Sequence, residues 1–307
     1  MGLKILETSS YLPEEIITND DFAKYLETSD EWISSRTGIR ERRISRVEDT
    51  SQLAYSAVKN LNIKDKEKID MVLVATFTAD KSMPNISSGV QGLLGLKENI
   101  FAVDFNMACS GFVAGLNLIE KFLDEGRQAI LIGAEVISKY LDKYDRNTVV
   151  LFGDGAGAVL IEKNSSKQCF ESGVRSNDEC LTLNYKGLEE VREFIGMKGK
   201  EVFRFAVEIV PLTITNLLKE NNLDINSIDH VICHQANYRI LNSVSKKTKI
   251  PIEKFFMNLD KYGNTSASSI PIALDEMNKK GILKRGEKII LVGFGAGLSW
   301  TGTLMEW

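Results

Sequence analysis

An apolar strand that runs into a tight turn and then into a helix is the feature that most constrains the fold of this chain. The strand begins at Phe101, the turn is Ala108-Cys109-Ser110-Gly111, and a helical pattern spans residues 112–123. Apolar residues recur there at spacings of one, three and four, which is typical of a half-buried helix. The turn therefore places Cys109 at the N-terminus of a helix.

Cys109 is a candidate nucleophile. A helix N-terminus carries a partial positive charge and unpaired N–H groups, so we expect this thiol to ionise more easily than a free cysteine. The small neighbours Ala108 and Gly111 favour an accessible sulfur. The alternative is a buried cysteine that only packs as a small apolar side chain. Catalytic partner residues elsewhere in the chain would favour the nucleophile.

Length and composition exclude several classes of protein. The 307 residues allow one large domain or two of about 150 residues. A hydrophobic content of 43% and a charged content of 26% are ordinary for a globular protein. The net charge of -4 gives no global reason to expect nucleic acid, and the apolar runs are shorter than the roughly 20 residues of a membrane helix. We therefore expect neither a nucleic-acid nor a membrane partner.

The cysteines and histidines predict neither disulfides nor a metal site. The four cysteines, at positions 109, 169, 180 and 233, show no CxxC pairing, which indicates a reduced, cytoplasmic protein. The two histidines, His230 and His234, are separated by the strand-like Val-Ile-Cys. Along a strand their rings lie about 13 Å apart, too far to share one metal ion.

Three segments of the first half recur in the same order about 160 residues later. The matching pairs are 68–74 with 227–233, 101–110 with 255–265, and 129–134 with 289–294. They predict an internal duplication with halves 1–163 and 164–307, each a layer rich in βαβ units. The second pair sets Cys109 against Asn264. The segment Lys254–Met257 is itself a candidate strand.

Polar and glycine-rich segments follow the predicted strands of the second half. His234, Asn264 and Gly293–Gly297 each come after such a strand, and active sites of layered α/β folds form outside the carboxyl ends of strands. A satisfied polar histidine and a turn asparagine are the simpler interpretations. The glycine-rich segment lacks nucleotide-binding spacing, but beside a nucleophile its N–H groups can face a developing oxyanion.

Motifs along the whole chain resemble the β-ketoacyl-acyl carrier protein synthase III family of the thiolase superfamily. The motifs are Ala108–Gly111, His234–Asn237, Tyr262–Ser266 and Gly293–Trp300, and residues 28–39, 145–148 and 152–157 are similar to the same family. The resemblance implies an α/β, thiolase-like αβαβα layered fold built from two duplicated halves, assembled as a homodimer. It also implies a catalytic triad of Cys109, His234 and Asn264.

The resemblance implies a reaction that agrees with the local chemistry. Cys109 attacks an acyl-CoA thioester while the N–H groups of Cys109 and Ala296 hold the oxyanion. Malonyl-acyl carrier protein then loses CO₂, and His234 Nε2 with Asn264 Nδ2 stabilises the enolate that attacks the acyl group. No metal or cofactor is required. Ala296 stands where many relatives carry glycine, which narrows the backbone geometry there.

Further binding residues follow from the same resemblance. It places the CoA site on Trp32, Arg36, Arg146, Gly199 and Asn237. Four basic residues predict a surface that docks the acidic carrier protein, although a solvated helix face explains them too; they are Arg239, Lys246, Lys247 and Lys249. Met83 is expected to reach across the dimer and close the acyl pocket.

The expected function is the initiating condensation of type II fatty acid synthesis. A first alternative is a ketosynthase III-like acyltransferase of secondary metabolism, which the triad does not distinguish. A second, non-enzymatic alternative is an inactive scaffold that binds acyl carrier protein. The sequence leaves the primer acyl chain open.

Overall fold

The computed structural model describes residues 2–183, 185–186, 191–192 and 194–307. The elements of the first half are β1 (Leu3–Tyr11), β2 (Glu15–Thr18), α1 (Asn19–Ala23), α2 (Asp30–Thr37), β3 (Glu41–Ile44), α3 (Thr50–Lys59), β4 (Ile69–Ala75), α4 (Ile86–Leu94), β5 (Phe101–Phe105), α5 (Gly111–Phe122), β6 (Gln128–Glu135) and β7 (Gly155–Lys163). Those of the second half are β8 (Phe170–Asn177), β9 (Leu181–Thr182), β10 (Tyr185–Lys186), β11 (Val191–Arg192), β12 (Gly196–Met197), α6 (Gly199–Glu220), β13 (His230–Cys233), α7 (Tyr238–Thr248), α8 (Leu259–Tyr262), α9 (Ser269–Lys279), β14 (Lys288–Gly295) and β15 (Gly297–Glu306).

Two sheets with the same order and the same strand directions form the frame. The described strands pair as β1-β7-β6-β4-β5 in the first sheet and as β8-β15-β14-β13 in the second. In the first sheet β7 is antiparallel to both β1 and β6, and β6 is parallel to β4. In the second sheet β15 is antiparallel to both β8 and β14, and β14 is parallel to β13. The predicted boundary between residues 163 and 164 falls between the last strand of the first sheet and β8.

Helices cover both faces of each sheet and give the five αβαβα layers. Helices α3 and α4 pack on the outer face of the first sheet, and α6 packs on the outer face of the second. Helices α5 and α9 lie between the sheets and contact both. The α/β, thiolase-like layered fold that the sequence predicts is confirmed.

The central layer explains why β4, β6 and β14 read as almost continuous apolar runs. Strands that are covered on both faces bury side chains on both. On the α5 side, Phe112, Leu116 and Ile119 are fully buried between the sheets. Each such side chain contributes about 1.5–3 kcal/mol relative to an exposed one, so the helix that carries Cys109 is held firmly at its base.

One predicted strand is wrong. Residues 252–254 form a 3₁₀ turn, and Phe255 makes only a single parallel bridge, with Val231. Asn264 consequently follows the short helix α8 rather than a strand. The stretch 255–257 lies where a fifth strand would complete the second sheet, but its residues pair too little to form one.

The pairing of Cys109 with Asn264 across the two halves is also wrong. Each half has a 3₁₀ turn, Ala108–Ser110 or Ser266–Ser268, directly before its central helix. Both turns begin with a left-handed residue, at φ 44° for Ala108 and φ 51° for Ser266. Equivalent positions therefore set Cys109 against Ala267.

The residues before these turns are equivalent as well. The Asn106 Oδ1 atom accepts the N–H of Ala108, and the Asn264 Oδ1 atom accepts the N–H of Ser266, both at 2.9 Å. Asn264 is thus the counterpart of Asn106, and the sequence match in this segment was displaced by three residues.

Glycine is required where the backbones of the two halves meet. A Cβ atom on Gly133 of β6 would lie 2.3 Å from the carbonyl oxygen of Ala267, and one on Gly293 of β14 would lie 2.7 Å from Ser110 Cα. Both sites face backbone atoms, which cannot rotate away. The two strands therefore pack directly on the two turns.

We expect Gly133→Ala to lower the free energy of unfolding by about 2 kcal/mol, because overpacking against a fixed backbone costs about 1–3 kcal/mol. Chemical denaturation measures the change. Gly92→Ala, in exposed α4 with no atom within 4 Å of its added Cβ, is the matched control and should be neutral or stabilising by up to about 1 kcal/mol. Unchanged stability of Gly133→Ala would contradict the close approach.

Candidate active site

Cys109, His234 and Asn264 line one cavity of about 130 Å³, here called the His234 cavity. Gly199 and Asn237 line it too. A second cavity of about 170 Å³, the Phe77 cavity, is also lined by Cys109 and is mainly apolar. Its lining includes Phe77, Asn106, Phe152, Leu181, Leu183, Ile195 and Ala296. The two cavities therefore adjoin at Cys109, Phe152 and Leu181, which line both.

The thiol of Cys109 is buried, at 6% exposure. Its pKa is raised to about 12, mainly by burial; Ser266 lowers it, and the nearby Glu135 carboxyl adds to the rise. The expectation that the helix N-terminus makes this thiol ionise easily is wrong. The rise from the ordinary value of 9.0 corresponds to about 4 kcal/mol, whereas a helix terminus contributes about 1 kcal/mol or less.

His234 is held as a neutral ring. Its side chain is buried, and burial lowers its pKa to about 3. Nδ1 lies 2.8 Å from Ser269 Oγ, and that oxygen also accepts the N–H of Gln235 at 3.4 Å. We assign the Ser269 hydroxyl as the donor to Nδ1, which leaves Nε2 protonated. Phe294 packs edge-on against the ring at 5.3 Å.

Asn264 is fixed by every polar group of its backbone. Its N–H donates to Leu151 O at 2.8 Å, and its carbonyl accepts the N–H of Gly153 at 3.0 Å. Since Oδ1 accepts the N–H of Ser266, Nδ2 is the part of the amide that remains to donate. The cavity thus receives two neutral N–H donors, from His234 and Asn264, beside the Cys109 sulfur.

The glycine-rich segment is tied to the nucleophile turn by two serines. Ser110 Oγ lies 2.8 Å from Ser299 Oγ, which donates to Ala296 O at 2.9 Å. A Cβ atom on Gly295 would lie 2.9 Å from Cys109 Cβ, so this strand end approaches the thiol closely. Ala296 is held at the edge of the Phe77 cavity by these contacts.

Some of the predicted CoA-binding residues line the His234 cavity, and the others lie outside it. Trp32 is half-buried, and the guanidinium groups of Arg36 and Arg146 each lie 4.6 Å from its ring centre. Neither cavity includes these three residues. The link between them and the cavity is Asn237, whose Nδ2 donates to Arg36 O at 3.1 Å.

The remaining predicted residues lie on the surface. All four basic residues of the α7 region are exposed, and two of them bind backbone carbonyls: Arg239 donates to Ser35 O and Lys247 to Val207 O. Met83 is 82% exposed and lies outside both cavities of its own chain. Within the described part of the chain, no cluster of three or more His, Cys, Asp or Glu side chains is placed to hold a metal ion.

Sequence reasoning missed Ser269, Glu135 and the packing role of Phe294. Ser269 acts through the His234 ring, and nothing in its local sequence marks it. Phe294 lies inside the glycine-rich segment Gly293–Gly297, and it lines the His234 cavity as well as packing on the ring. Glu135 left a signal, because it is a carboxylate at the end of the apolar run 129–134. It is fully buried in the structure.

Comparisons with known proteins point to one family along the whole chain. Two family models match: 3-oxoacyl-[acyl-carrier-protein (ACP)] synthase III at residues 103–177, and the C-terminal model of the same family at residues 218–307. The beta-ketoacyl-[acyl-carrier-protein] synthase III of Clostridium acetobutylicum is 45% identical over 325 residues, which cover 100% of this chain and 99% of that protein.

Two solved structures share the architecture. The 3-oxoacyl-[acyl-carrier-protein] synthase III of Aquifex aeolicus has a TM-score of 0.92 at 39% identity and full coverage of both chains. The priming β-ketosynthase of the R1128 polyketide biosynthetic pathway has a TM-score of 0.91 at 28% identity, covering 99% of this chain and 96% of that one.

Fold and site together define a thiolase-like condensing enzyme, which is an acyltransferase. With 45% identity along its full length, the chain belongs to the β-ketoacyl-[acyl-carrier-protein] synthase III family, whose members carry out the initiating condensation of fatty acid synthesis. No helix in the described ranges is both long and apolar enough to cross a bilayer.

We expect the lowered pKa of His234 to appear in the pH dependence of stability. The unfolded chain binds this proton near pH 6.5 but the folded chain only near pH 3, so stability falls as the pH falls through that window, by up to about 1.4 kcal/mol per pH unit. His234→Gln lacks this loss. Urea denaturation of both proteins at pH 7, 6 and 5 measures it.

Comparing the wild type with His234→Gln separates the contribution of His234 to the pH dependence of stability from that of other titratable groups. Burial raises the pKa of Glu135 to about 8, so Glu135 contributes a slope of opposite sign between about pH 4.5 and 8, equally in both proteins. If the two stability curves run parallel from pH 7 to pH 5, His234 is not the buried neutral ring described here.

Proposed function

We propose that this chain condenses a short acyl-CoA with malonyl-acyl carrier protein through an acyl-Cys109 intermediate and yields a 3-oxoacyl-acyl carrier protein. The observation that carries the proposal is the convergence of Cys109, His234 and Asn264 on one cavity in a chain of this family. The acyl transfer forms a thioester on Cys109 Sγ and expels CoA as the leaving thiolate. The N–H groups of Cys109 and Ala296 hold the tetrahedral oxyanion.

The condensation uses the two neutral donors of the His234 cavity. When the malonyl group loses CO₂, the negative charge moves onto its thioester oxygen, where His234 Nε2 and Asn264 Nδ2 donate hydrogen bonds. A neutral His234 suits this role, because an imidazolium would protonate the enolate instead of only stabilising it. The carbanion then attacks the acyl carbonyl and releases Cys109.

The two cavities suggest where each substrate part lies. The His234 cavity, with Gly199 and Asn237 in its wall, suits the pantetheine arm of either substrate. Trp32, Arg36 and Arg146 outside it offer an aromatic face and two cations to an adenine with phosphates. The mainly apolar Phe77 cavity of about 170 Å³ suits a short acyl chain.

We further propose a homodimer in which Met83 closes the partner's acyl cavity. Exposed apolar side chains support the pairing: Met83 is 82% exposed, and Phe101 on the edge strand β5 is 58% exposed. The proposed compartment is the cytoplasm, on the ground that all four cysteines are free thiols.

We expect Cys109 to form an acyl-enzyme. After mixing with a panel of acyl-CoAs, intact-protein mass should show one short acyl group on the wild type and none on Cys109→Ser. Addition of malonyl-acyl carrier protein should remove it as a 3-oxoacyl product. His234→Ala and Asn264→Ala should still acylate but discharge at least about 10²-fold more slowly, since each loses an oxyanion donor.

Other outcomes favour the alternatives. An acyl group that malonyl-acyl carrier protein never removes favours a role in secondary metabolism, to which the similarity with a polyketide priming β-ketosynthase also points. No acylation by any acyl-CoA favours an inactive scaffold that binds the carrier protein.

Carrier-protein docking is tested by charge reversal. Lys246→Glu with Lys249→Glu should raise KM for malonyl-acyl carrier protein about tenfold or more at low salt and leave acylation by acyl-CoA unchanged, because these exposed side chains act at encounter rather than in the cavity. Lys121→Glu, at the far end of α5, is the control. Equal KM values for all three proteins would exclude this docking surface.

A further inference from the structure

The proton of the Cys109 thiol has no acceptor among the triad residues. Cys109 attacks only as a thiolate, yet its buried thiol resists ionisation. His234 is already a weak base, since burial lowers its pKa to about 3, and an asparagine amide accepts no proton. The proton must therefore pass to another group close to the sulfur.

Glu135 is a carboxyl group buried in the core without a cation. Its Oε2 atom accepts hydrogen bonds from Thr78 Oγ1 at 2.6 Å and from Thr76 Oγ1 at 3.1 Å, and the N–H of Phe77 lies 3.3 Å away. No ion pair of the described residues involves it. Neutral donors alone do not offset the cost of burying a charge, so burial raises the pKa of Glu135 to about 8.

Ser266 connects Glu135 with Cys109. Its turn, Ser266–Ser268, packs on strand β6, which ends at Glu135, and Ser266 and Cys109 line the same cavity. The Ser266 hydroxyl also lowers the pKa of both groups. The residue is 1% exposed, and its Oγ atom completes no hydrogen bond with any residue that the structure describes. A buried hydroxyl is rarely left unpaired. Because no fixed partner holds this one, it is free to turn between the sulfur and the carboxyl group.

The backbone at Ser266 is strained to hold this position. Its φ of 51° lies in the left-handed region that non-glycine residues seldom adopt. The Asn264 Oδ1 atom holds the Ser266 N–H at 2.9 Å, so one side chain both offers Nδ2 to the cavity and fixes the serine. Strain of this kind is retained where the surrounding structure enforces it, often at reactive sites.

We propose that Glu135, acting through the Ser266 hydroxyl, holds the proton that Cys109 loses when it is acylated. The Cys109 S–H bond breaks as its proton moves to Ser266 Oγ, while the Ser266 proton moves to the Glu135 carboxylate. Cys109 becomes a thiolate and Glu135 a carboxylic acid. The proposal rests on the proposed function, because it needs an acyl thioester as the electrophile.

The proton balance closes over one turnover. The CoA thiolate takes a proton from solvent as it leaves. In the condensation, CO₂ leaves with the negative charge on the enolate, and attack on the acyl group returns that charge to Cys109 as a thiolate. The proton held on Glu135 then moves back through Ser266 to the sulfur, which restores both groups.

The groups that face Glu135 simplify its titration. They are the neutral hydroxyls of Thr76 and Thr78 after β4, Ser266 before α9, and Cys109 before α5. In the described part of the chain, Cys109 is the titratable group among them. The pair therefore titrates as a unit.

Single-turnover acylation between pH 5.5 and 9.5, followed by intact mass, tests the relay. The wild-type rate should rise about tenfold per pH unit and level off near pH 8, where Glu135 loses its own proton. Glu135→Gln and Ser266→Ala should each acylate at least about 10²-fold more slowly at pH 8 and continue to rise with pH without levelling. The double variant should be no slower than either single variant, because the two groups act together.

The control is Glu120→Gln, another buried carboxyl, on α5, that pairs with Lys163; its profile should match the wild type. If Glu135→Gln does not fold, Ser266→Ala carries the test, since it removes only an unpaired hydroxyl and keeps a Cβ at φ 51°. Variants that keep the wild-type rate and its levelling near pH 8 overturn the relay.

Alkylation of Cys109 by iodoacetamide over the same pH range separates the two proposals. It needs the thiolate but no acyl-CoA. If the wild type acquires no acyl group, the proposed function fails, while a levelled alkylation profile that Glu135→Gln abolishes still supports the relay. If acylation proceeds but neither profile changes in the variants, the function stands and the relay fails.

Discussion

The structure depends on the close packing of two backbone turns at its centre. The turns 108–110 and 266–268 contact each other between the sheets, and the glycine strand ends of β6 and β14 lie against them without room for a Cβ atom. Each turn opens a central helix whose apolar face is buried against both sheets. Because the turns and the strand ends are fixed against each other, the side chains that the two halves bring together have little conformational freedom. Catalysis by precisely positioned groups requires such rigidity.

The same packing buries the side chains of Cys109, Glu135 and His234 and so sets their charge states. Without solvent, neutral forms are favoured: the pKa of Cys109 rises to about 12, that of Glu135 rises to about 8, and that of His234 falls to about 3. Hydrogen bonds from neutral donors to a charge that forms only during reaction are stronger in such a medium. The low dielectric therefore makes the thiol harder to activate while it makes the enolate easier to stabilise.

Part of the site was readable from the chain because its motifs are local. The Ala-Cys-Ser-Gly turn, His234 after a strand and Asn264 in its turn are each contiguous. Periodicity located α5, and continuous apolar runs located β4, β6 and β14. The strand predicted at Lys254–Met257 was wrong because pairing is a property of neighbours, and only Phe255 finds one. The helix-terminus argument for Cys109 was also wrong, since local sequence carries no information on how deeply a side chain is buried.

By itself, the sequence determined the alternation of strands and helices and the repetition of the two halves, and through its motifs it indicated the three side chains proposed as the triad. Apolar periodicity and turn chemistry act over a few residues, so they survive in the linear order. The tertiary structure alone decided that Asn264 is the counterpart of Asn106, that Ser269 orients His234, and that Ser266 lies between Cys109 and Glu135. These relations join residues 26 to 158 positions apart, and they exist only because two sheets pack on a shared central layer.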